Sequence, residues 1–222
     1  MTAVVLGAAA LFAFATIANA VGRGSTPAFD EWLLIALRTP GDLADPIGPA
    51  WFEEMMRDFT GLGSTGVLTL IVLAVAGFLA MTRKTHAAVF VLVSVGSGTL
   101  LSQGMKWVYG RPRPDLVPHG AEVYTASFPS GHSMMSAVVY LTLGALLART
   151  QADAAVKAYV LAVAVALTVL VGTSRVYLGV HWPTDVLASW SLGGVWALLC
   201  WAAMAWMQTR GQVEGEAGAR AG

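Results

Sequence analysis

The chain has 222 residues, of which 12% are charged and 56% hydrophobic, and its formal net charge is zero. Soluble domains carry roughly 25% charged residues, so this composition excludes an ordinary soluble domain and indicates a membrane protein. The zero net charge argues against a basic surface for nucleic acid. The single cysteine, Cys200, excludes an intramolecular disulfide and a cysteine metal cluster.

Six runs without Asp, Glu, Lys or Arg follow one another along the chain. A spanning helix needs about 20 mostly apolar residues, and the six runs match that requirement: 2–22, 59–82, 87–105, 123–148, 158–174 and 186–209. We therefore predict an all-α fold, an integral membrane bundle of six transmembrane helices. It forms a single membrane-embedded domain over residues 1–210, and the Gly- and Ala-rich tail 211–222 is predicted to be disordered.

The first run ends in Ala18-Asn19-Ala20, which resembles a signal-peptidase site. No Lys or Arg precedes the run, so the positive segment of a signal peptide is missing. We therefore predict a retained first span, with cleavage after this tripeptide as the alternative.

Residues 23–58 form the longest polar connection in the chain. Ser25-Thr26-Pro27 followed by Asp30 is typical of a helix start, and 51–59 has the pattern of a second short amphipathic helix. We predict that both are interfacial helices lying on the bilayer between the first and second spans. A lid over the functional site is the alternative.

Three polar islands lie at the ends of hydrophobic runs, at 106–114, 129–132 and 174–185. The third predicted span ends at Lys106 in the first island, the fourth starts at Gly131 in the second, and the fifth and sixth flank the third island. Since each run crosses the membrane once, all three islands fall on one side and both termini on the other. When the three site cations Lys106, Arg113 and Arg175 are set aside, the Lys and Arg distribution favours cytoplasmic termini. We expect the islands to face the periplasm or exterior of a bacterial inner membrane.

Two histidines occur in these islands, each in a distinctive setting. His181 and Asp185 are four residues apart, so on a helix they share one face, and a carboxylate beside an imidazole fixes its tautomer and leaves the other nitrogen free to attack. His132 follows Ser130 and Gly131, where Ser130 can cap a helix whose N-terminal N–H groups attract an anion. An incidental helix cap is the alternative for each group taken alone.

Three cations, Lys106, Arg113 and Arg175, converge on the same side. Three cations near two histidines require an anion between them, and Arg forks match phosphate oxygens in pairs. Two His and one Asp are a possible zinc set, but three neighbouring cations would repel a metal ion. We therefore predict a phosphate site with no metal and no other cofactor.

Together, the segments Lys106 to Arg113-Pro114, Pro129–His132 and Ser174-Arg175 to His181 to Asp185 resemble the three-part signature of the type 2 phosphatidic acid phosphatase superfamily. The resemblance implies roles for eight residues. It makes His181 the nucleophile, held by Asp185, and His132 the general acid, and it assigns the phosphate cradle to Lys106, Arg113, Ser130, Gly131 and Arg175. Ser189 departs from this pattern, since Gly is expected at that helix-packing position.

The function expected from this resemblance is hydrolysis of a membrane lipid phosphate or diphosphate through a phosphohistidine, without a metal. Phosphatidic acid, phosphatidylglycerol phosphate, undecaprenyl diphosphate and a lipid A phosphate all remain open as substrates, and the oligomeric state stays open too. The alternatives are a phosphatase of soluble esters, a vanadate-dependent haloperoxidase and a non-catalytic lipid-binding or transport protein.

Overall fold

The computed structural model describes residues 2–121 and 124–209, so the predicted tail 211–222 lies outside the described residues. The described residues form eight α-helices and one small hairpin. The helices are α1 (Thr2–Gly22), α2 (Pro27–Ala36), α3 (Ala50–Leu62), α4 (Thr65–Met81), α5 (Thr85–Tyr109), α6 (Gly131–Arg149), α7 (Ala154–Tyr177) and α8 (Pro183–Thr209). The strands β1 (Arg38–Thr39) and β2 (Asp42–Pro46) pair antiparallel.

Five of these helices are long and apolar enough to cross a membrane by themselves: α1, α5, α6, α7 and α8. A bent pair, in which α3 and α4 meet at an angle of 48°, brings the number of spans to six and is the second span in chain order. The predicted all-α bundle of six transmembrane helices is thereby confirmed. Short helices follow the first span as predicted, α2 and α3, although α3 also forms the first half of the bent span. The hairpin between α2 and α3 is not part of the prediction.

Local sequence signals set the helix ends that later carry the site. The Ser130 hydroxyl accepts a hydrogen bond from the N–H of Ser133 and caps α6, as predicted from the sequence. Gly110 ends α5 in the left-handed conformation, with φ of 53°, which glycine adopts without steric cost. Pro183 opens α8 at the first helical position.

Helix α6 lies at the centre of the bundle and is the most buried of the single-helix spans, whereas α1 is the least buried. Helix α6 packs against α5, α7 and α8, and α1 packs on the outside of α8. The ends of α5 and α7 and the starts of α6 and α8 therefore meet at one end of the bundle, where the polar islands lie.

Candidate active site

Six of the eight residues predicted for the site line one cavity of about 360 Å³. These six are Lys106, Arg113, Gly131, His132, Arg175 and His181. The other two, Ser130 and Asp185, are fully buried beside residues of the cavity wall. The structure thus brings the three polar islands together at one end of the bundle.

His181 lies in the short loop between α7 and α8 and is 1% exposed. Its Nδ1 is 3.4 Å from Oδ2 of Asp185, and its Nε2 is 3.1 Å from Nη1 of Arg113. A guanidinium only donates hydrogen bonds, so Nε2 must accept and the ring proton must lie on Nδ1, facing Asp185. The lone pair on Nε2 is directed to the side of the ring where the cations lie.

Burial lowers the pKa of His181 to about 3, against the raising effect of the Asp185 hydrogen bond and charge. The imidazole is therefore neutral near neutral pH, which a nitrogen nucleophile requires. Burial also lowers the pKa of Arg113, and the Asp185 carboxylate opposes this effect.

The Asp185 carboxylate has partners on both of its oxygens and is 0% exposed. Oδ1 accepts from Nη1 of Arg111 at 2.6 Å. Oδ2 accepts from the backbone N–H of Trp182 at 3.0 Å and from the hydroxyl of Ser127, which also lies 3.3 Å from Nδ1 of His181. The orientation of the carboxylate toward His181 is thus fixed from several directions.

Lys106 and Arg113 reach the cavity from the end of α5 and from the loop that follows. Nζ of Lys106 donates to the carbonyl of Ala126 at 2.5 Å, and Nε of Arg113 donates to the carbonyl of Thr125 at 2.8 Å. Both cations are therefore held by the loop 124–130 that leads into α6.

Arg175, in the last turn of α7, is 3% exposed. Its Nη1 donates to the hydroxyl of Thr60 in α3 at 2.7 Å. Its Nε is buried and has no hydrogen-bond partner among the described residues. An unpaired donor on a buried cation is costly unless it meets an anion, and the side chain lines the cavity.

The start of α6 supplies the remaining predicted residues. Gly131 lies against the Lys106 side chain: a Cβ on Gly131 would be in ordinary van der Waals contact, 3.7 Å from Cε of Lys106. The His132 ring lines the cavity. The Ser130 hydroxyl accepts from the Ser133 hydroxyl at 2.9 Å, so a contact between Ser130 and phosphate stays a prediction.

Sequence reasoning missed several residues that surround this site. The predicted set of three site cations does not include Arg111, and the sequence motifs assign no role at the site to Asp30, Thr60 or Ser127. Ser127 and Arg111 lie within or beside the polar islands, so their position was a usable signal. Asp30 and Thr60 lie far from the islands in sequence.

No group of three or more His, Cys, Asp and Glu side chains that could hold a metal ion occurs within residues 2–121 and 124–209. The side chains around the cavity instead offer cationic donors, which suit an anion. Independence from metals stays a prediction.

Residues 87–209 match the family model of the PAP2 superfamily. The chain belongs to the PAP2 superfamily. The matched segment includes all eight predicted site residues, and membership confirms the resemblance drawn from the three motifs. The apolar helices and the solved transmembrane relative reported below identify an integral membrane protein.

Known PAP2 proteins resemble this chain over most of its length. It is 38% identical over 144 residues to phosphatidylglycerophosphatase B of Bacillus subtilis, covering 64% of this chain and 70% of that protein. It is 29% identical over 181 residues to lipid A 1-phosphatase of Rhizobium etli, covering 69% of this chain and 74% of the relative.

A solved structure has the same fold as this PAP2 protein. It is a transmembrane PAP2-type phosphatidylglycerolphosphate phosphatase from Bacillus subtilis, with a TM-score of 0.81 and 31% identity, covering 90% of this chain and 96% of the other. Together with the relatives, which are named as phosphatases, it confirms the prediction that the chain is an enzyme of the hydrolase class.

Proposed function

We propose that this PAP2 protein hydrolyses a membrane lipid phosphate, as a monoester or diphosphate, through a phosphohistidine on His181. The observation that carries the proposal is the lining of the cavity, which is apolar on one side and cationic on the other. The cavity is lined by Leu68 and Thr69 of α4 and by Val95 and Thr99 of α5 as well as by the cations. Val95 precedes Lys106 by three turns of α5, about 16 Å at 1.5 Å per residue.

A cavity with this lining suits a substrate with a charged head and an apolar tail. The head would lie among Lys106, Arg113 and Arg175, and the tail would extend between α4 and α5 toward the bilayer. A soluble sugar phosphate has no apolar part that would pack against the wall formed by Leu68 and Val95. This distinction favours a lipid over a soluble ester.

The proposed reaction has two steps. Nε2 of His181 attacks phosphorus, the bond to the leaving oxygen breaks, and His132 donates a proton to that oxygen. His132 then takes a proton from water, which attacks phosphorus, breaks the P–N bond and releases inorganic phosphate. The three cations stabilise the charge on the transferred phosphoryl oxygens in both transition states.

The substrate assignment is tested by phosphate release from purified protein in detergent. The panel contains phosphatidylglycerol phosphate, phosphatidic acid, undecaprenyl diphosphate, a lipid A phosphate and glucose 6-phosphate. We place phosphatidylglycerol phosphate first because a relative at 38% identity is named for that substrate. Turnover of glucose 6-phosphate alone would contradict the proposal, and bromide oxidation with vanadate and peroxide tests the haloperoxidase alternative.

The covalent step is tested with ³²P-labelled substrate and rapid quenching at alkaline pH. The wild type should carry acid-labile label, His181→Ala should carry none and lose turnover, and His132→Ala should slow both steps. Label retained in His181→Ala would refute the assignment of the nucleophile.

Metal independence is tested by assay after treatment with EDTA. We expect full activity, because cationic side chains take the place of a metal in stabilising the transferred phosphoryl group. We also expect inhibition by vanadate, which mimics five-coordinate phosphorus. Loss of activity in EDTA that zinc or magnesium restores would require a metal in the mechanism.

A further inference from the structure

We infer that Asp30 and Arg111 form a buried positioning pair that holds Asp185, and through it His181, in its catalytic orientation. Helix α2, which lies outside the three motifs, would then supply a working part of the active site. The inference rests on the proposed function, since it assigns the pair to the geometry of the proposed nucleophile.

Arg111 bridges two carboxylates that lie 81 and 74 residues away in sequence. Nη2 donates to Oδ2 of Asp30 and Nη1 donates to Oδ1 of Asp185, each at 2.6 Å. Both aspartates are 0% exposed, and the Arg111 side chain is 12% exposed. Hydroxyls complete the fork: Nη2 also donates to Thr26 at 2.9 Å and Nη1 to Thr184 at 2.8 Å.

Asp30 is tied to α8 by a second route. Its Oδ1 accepts from the backbone N–H of Thr184 at 2.9 Å, and its Oδ2 accepts from the Thr184 hydroxyl at 2.8 Å. The first N–H groups of a helix have no partner within that helix, so Asp30 caps α8 from a different helix. Thr184 immediately precedes Asp185, and the cap therefore fixes the backbone that carries the catalytic carboxylate.

The two carboxylate oxygens of Asp185 have different partners. Because Arg111 occupies Oδ1, the carboxylate presents Oδ2 to Trp182, Ser127 and His181. Loss of the Arg111 contact would leave Oδ1 without its charged partner, so that only the contacts on Oδ2 would hold the carboxylate. A carboxylate that turns away from Nδ1 no longer favours the proton there, and the His181 ring would sample the Nε2–H form.

Two buried carboxylates and one guanidinium are a costly arrangement for stability alone. Burying charge costs free energy that pairing only partly offsets, and apolar replacements of buried ion pairs are often neutral or stabilising. The geometry favours orientation as the use of this pair, since each donor of the Arg111 fork has a separate acceptor and the planar fork fixes their relative positions.

The test is steady-state kinetics of Asp30→Asn with the most active lipid of the panel. An Asn amide group would point a donor at either Arg111 or the Thr184 N–H, whichever way it is flipped. We expect kcat to fall about tenfold or more with KM changed less than about threefold, since outer hydrogen-bond partners orient a reactive histidine without touching substrate. Glu31→Gln, at the exposed neighbouring position on α2, is the matched control and should behave as wild type.

A double-mutant cycle with Asp185→Asn separates positioning from general destabilisation. If Asp30 acts through Asp185, Asp30→Asn should reduce kcat far less in the Asp185→Asn background than in the wild type. Effects that multiply, or a kcat for Asp30→Asn within twofold of wild type, would overturn the inference. If Asp30→Asn does not fold, Arg111→Lys takes its place in the cycle, because one ammonium group does not reproduce the fork.

Failure of the proposed function would be seen separately, as a wild type that releases no phosphate from any lipid. In that case the ¹⁵N spectrum of labelled histidine decides the inference, with the His181 signals identified by their loss in His181→Ala. We expect an Nδ1–H tautomer in the wild type and a mixture with the Nε2–H form in Asp30→Asn. Identical His181 signals in the two proteins would overturn it.

Discussion

Arg175 and Asp185 illustrate two different ways in which a buried charge serves this site. Arg175 lines the cavity and keeps an unpaired Nε, so we propose that it binds the phosphate directly. Asp185 has partners on both oxygens and lies behind His181. The first should act on binding and on chemistry, and the second on chemistry alone.

Asp185→Asn therefore should lower kcat while leaving KM nearly unchanged. The amide keeps the shape but favours the wrong His181 tautomer, and we expect a loss of about 100-fold or more, as in comparable triad substitutions. Arg175→Ala should instead raise KM and lower kcat, because a charged hydrogen bond to phosphate acts in both the ground and transition states.

Full initial-rate curves for both variants, beside a circular-dichroism check of folding, distinguish the two outcomes. Near-normal turnover in Asp185→Asn would leave the carboxylate as a structural cap of α8.

The residues that the sequence revealed, and those it did not, differ in how far apart their partners lie. His181 and Asp185 are four residues apart, so a local spacing indicated the pair, and the other two polar islands supported it. Arg175 and Thr60 are 115 residues apart, and Thr184 and Asp30 are 154 apart. No local pattern encodes a contact of that kind, because it depends on how α2 and α3 pack on the ends of the spans.

At the scale of helices and strands, hydrophobicity found the spans but not their bends. The charge-free run 59–82 crosses the boundary between α3 and α4, and the 48° bend there lies at Gly63. A Cβ on Gly63 would lie 2.4 Å from a methyl group of Val171 and 3.3 Å from the carbonyl of His132. The bend therefore fits closely against the helices that carry the site, a packing requirement that a hydropathy pattern does not contain.

The hairpin of β1 and β2 was missed for a different reason. Its strands have two and five residues, too short for an alternating pattern to be seen. Pro40-Gly41 was the available signal, because this dipeptide is typical of a turn and Gly41 has a φ of 91°.

Gly193 offers a test of how closely α8 must approach α6. A Cβ there would lie 2.7 Å from Cβ of Ala137 and 2.8 Å from the carbonyl of Met134. Gly193→Ala should destabilise the fold by about 1–3 kcal/mol, the usual cost of overpacking, and lower kcat, because α8 carries Asp185 and α6 carries His132.

Gly194→Ala is the matched control, since a Cβ at that position meets nothing within 4 Å and Ala is the better helix former. Thermal unfolding in detergent and lipid-phosphatase assays of both variants provide the comparison. Equal melting temperatures for Gly193→Ala and Gly194→Ala would contradict the prediction, because they would mean that α8 can move away from α6 at no cost in stability.

At the scale of the whole molecule, burial of cations changes how membrane orientation is inferred. Arg38 is 4% exposed and Arg111 is paired with two carboxylates. Both are therefore left out of the count of loop charges, together with the three site cations. Exposed Arg23 and Arg57 then remain at the end of the bundle that holds the site. The opposite end carries Arg83, Lys84, Arg149 and Lys157 among the described residues.

The positive-inside rule applied to this corrected count favours the end opposite the site as the cytoplasmic one. We therefore predict that the active site faces the exterior. The test uses two single-cysteine proteins in a Cys200→Ser background. One carries Asp42→Cys in the exposed hairpin near the site, and the other carries Lys84→Cys in the exposed turn between α4 and α5.

In intact spheroplasts, a membrane-impermeant maleimide should label Asp42→Cys at once and Lys84→Cys only after permeabilisation. Cys200→Ser itself should stay unlabelled in both conditions and retain wild-type phosphatase activity, which shows that the background is folded. The reverse pattern would place the site in the cytoplasm. The lipid phosphate would then have to reach the cavity from the inner leaflet, since the cations proposed to hold its head lie at the same end of the bundle as Asp42.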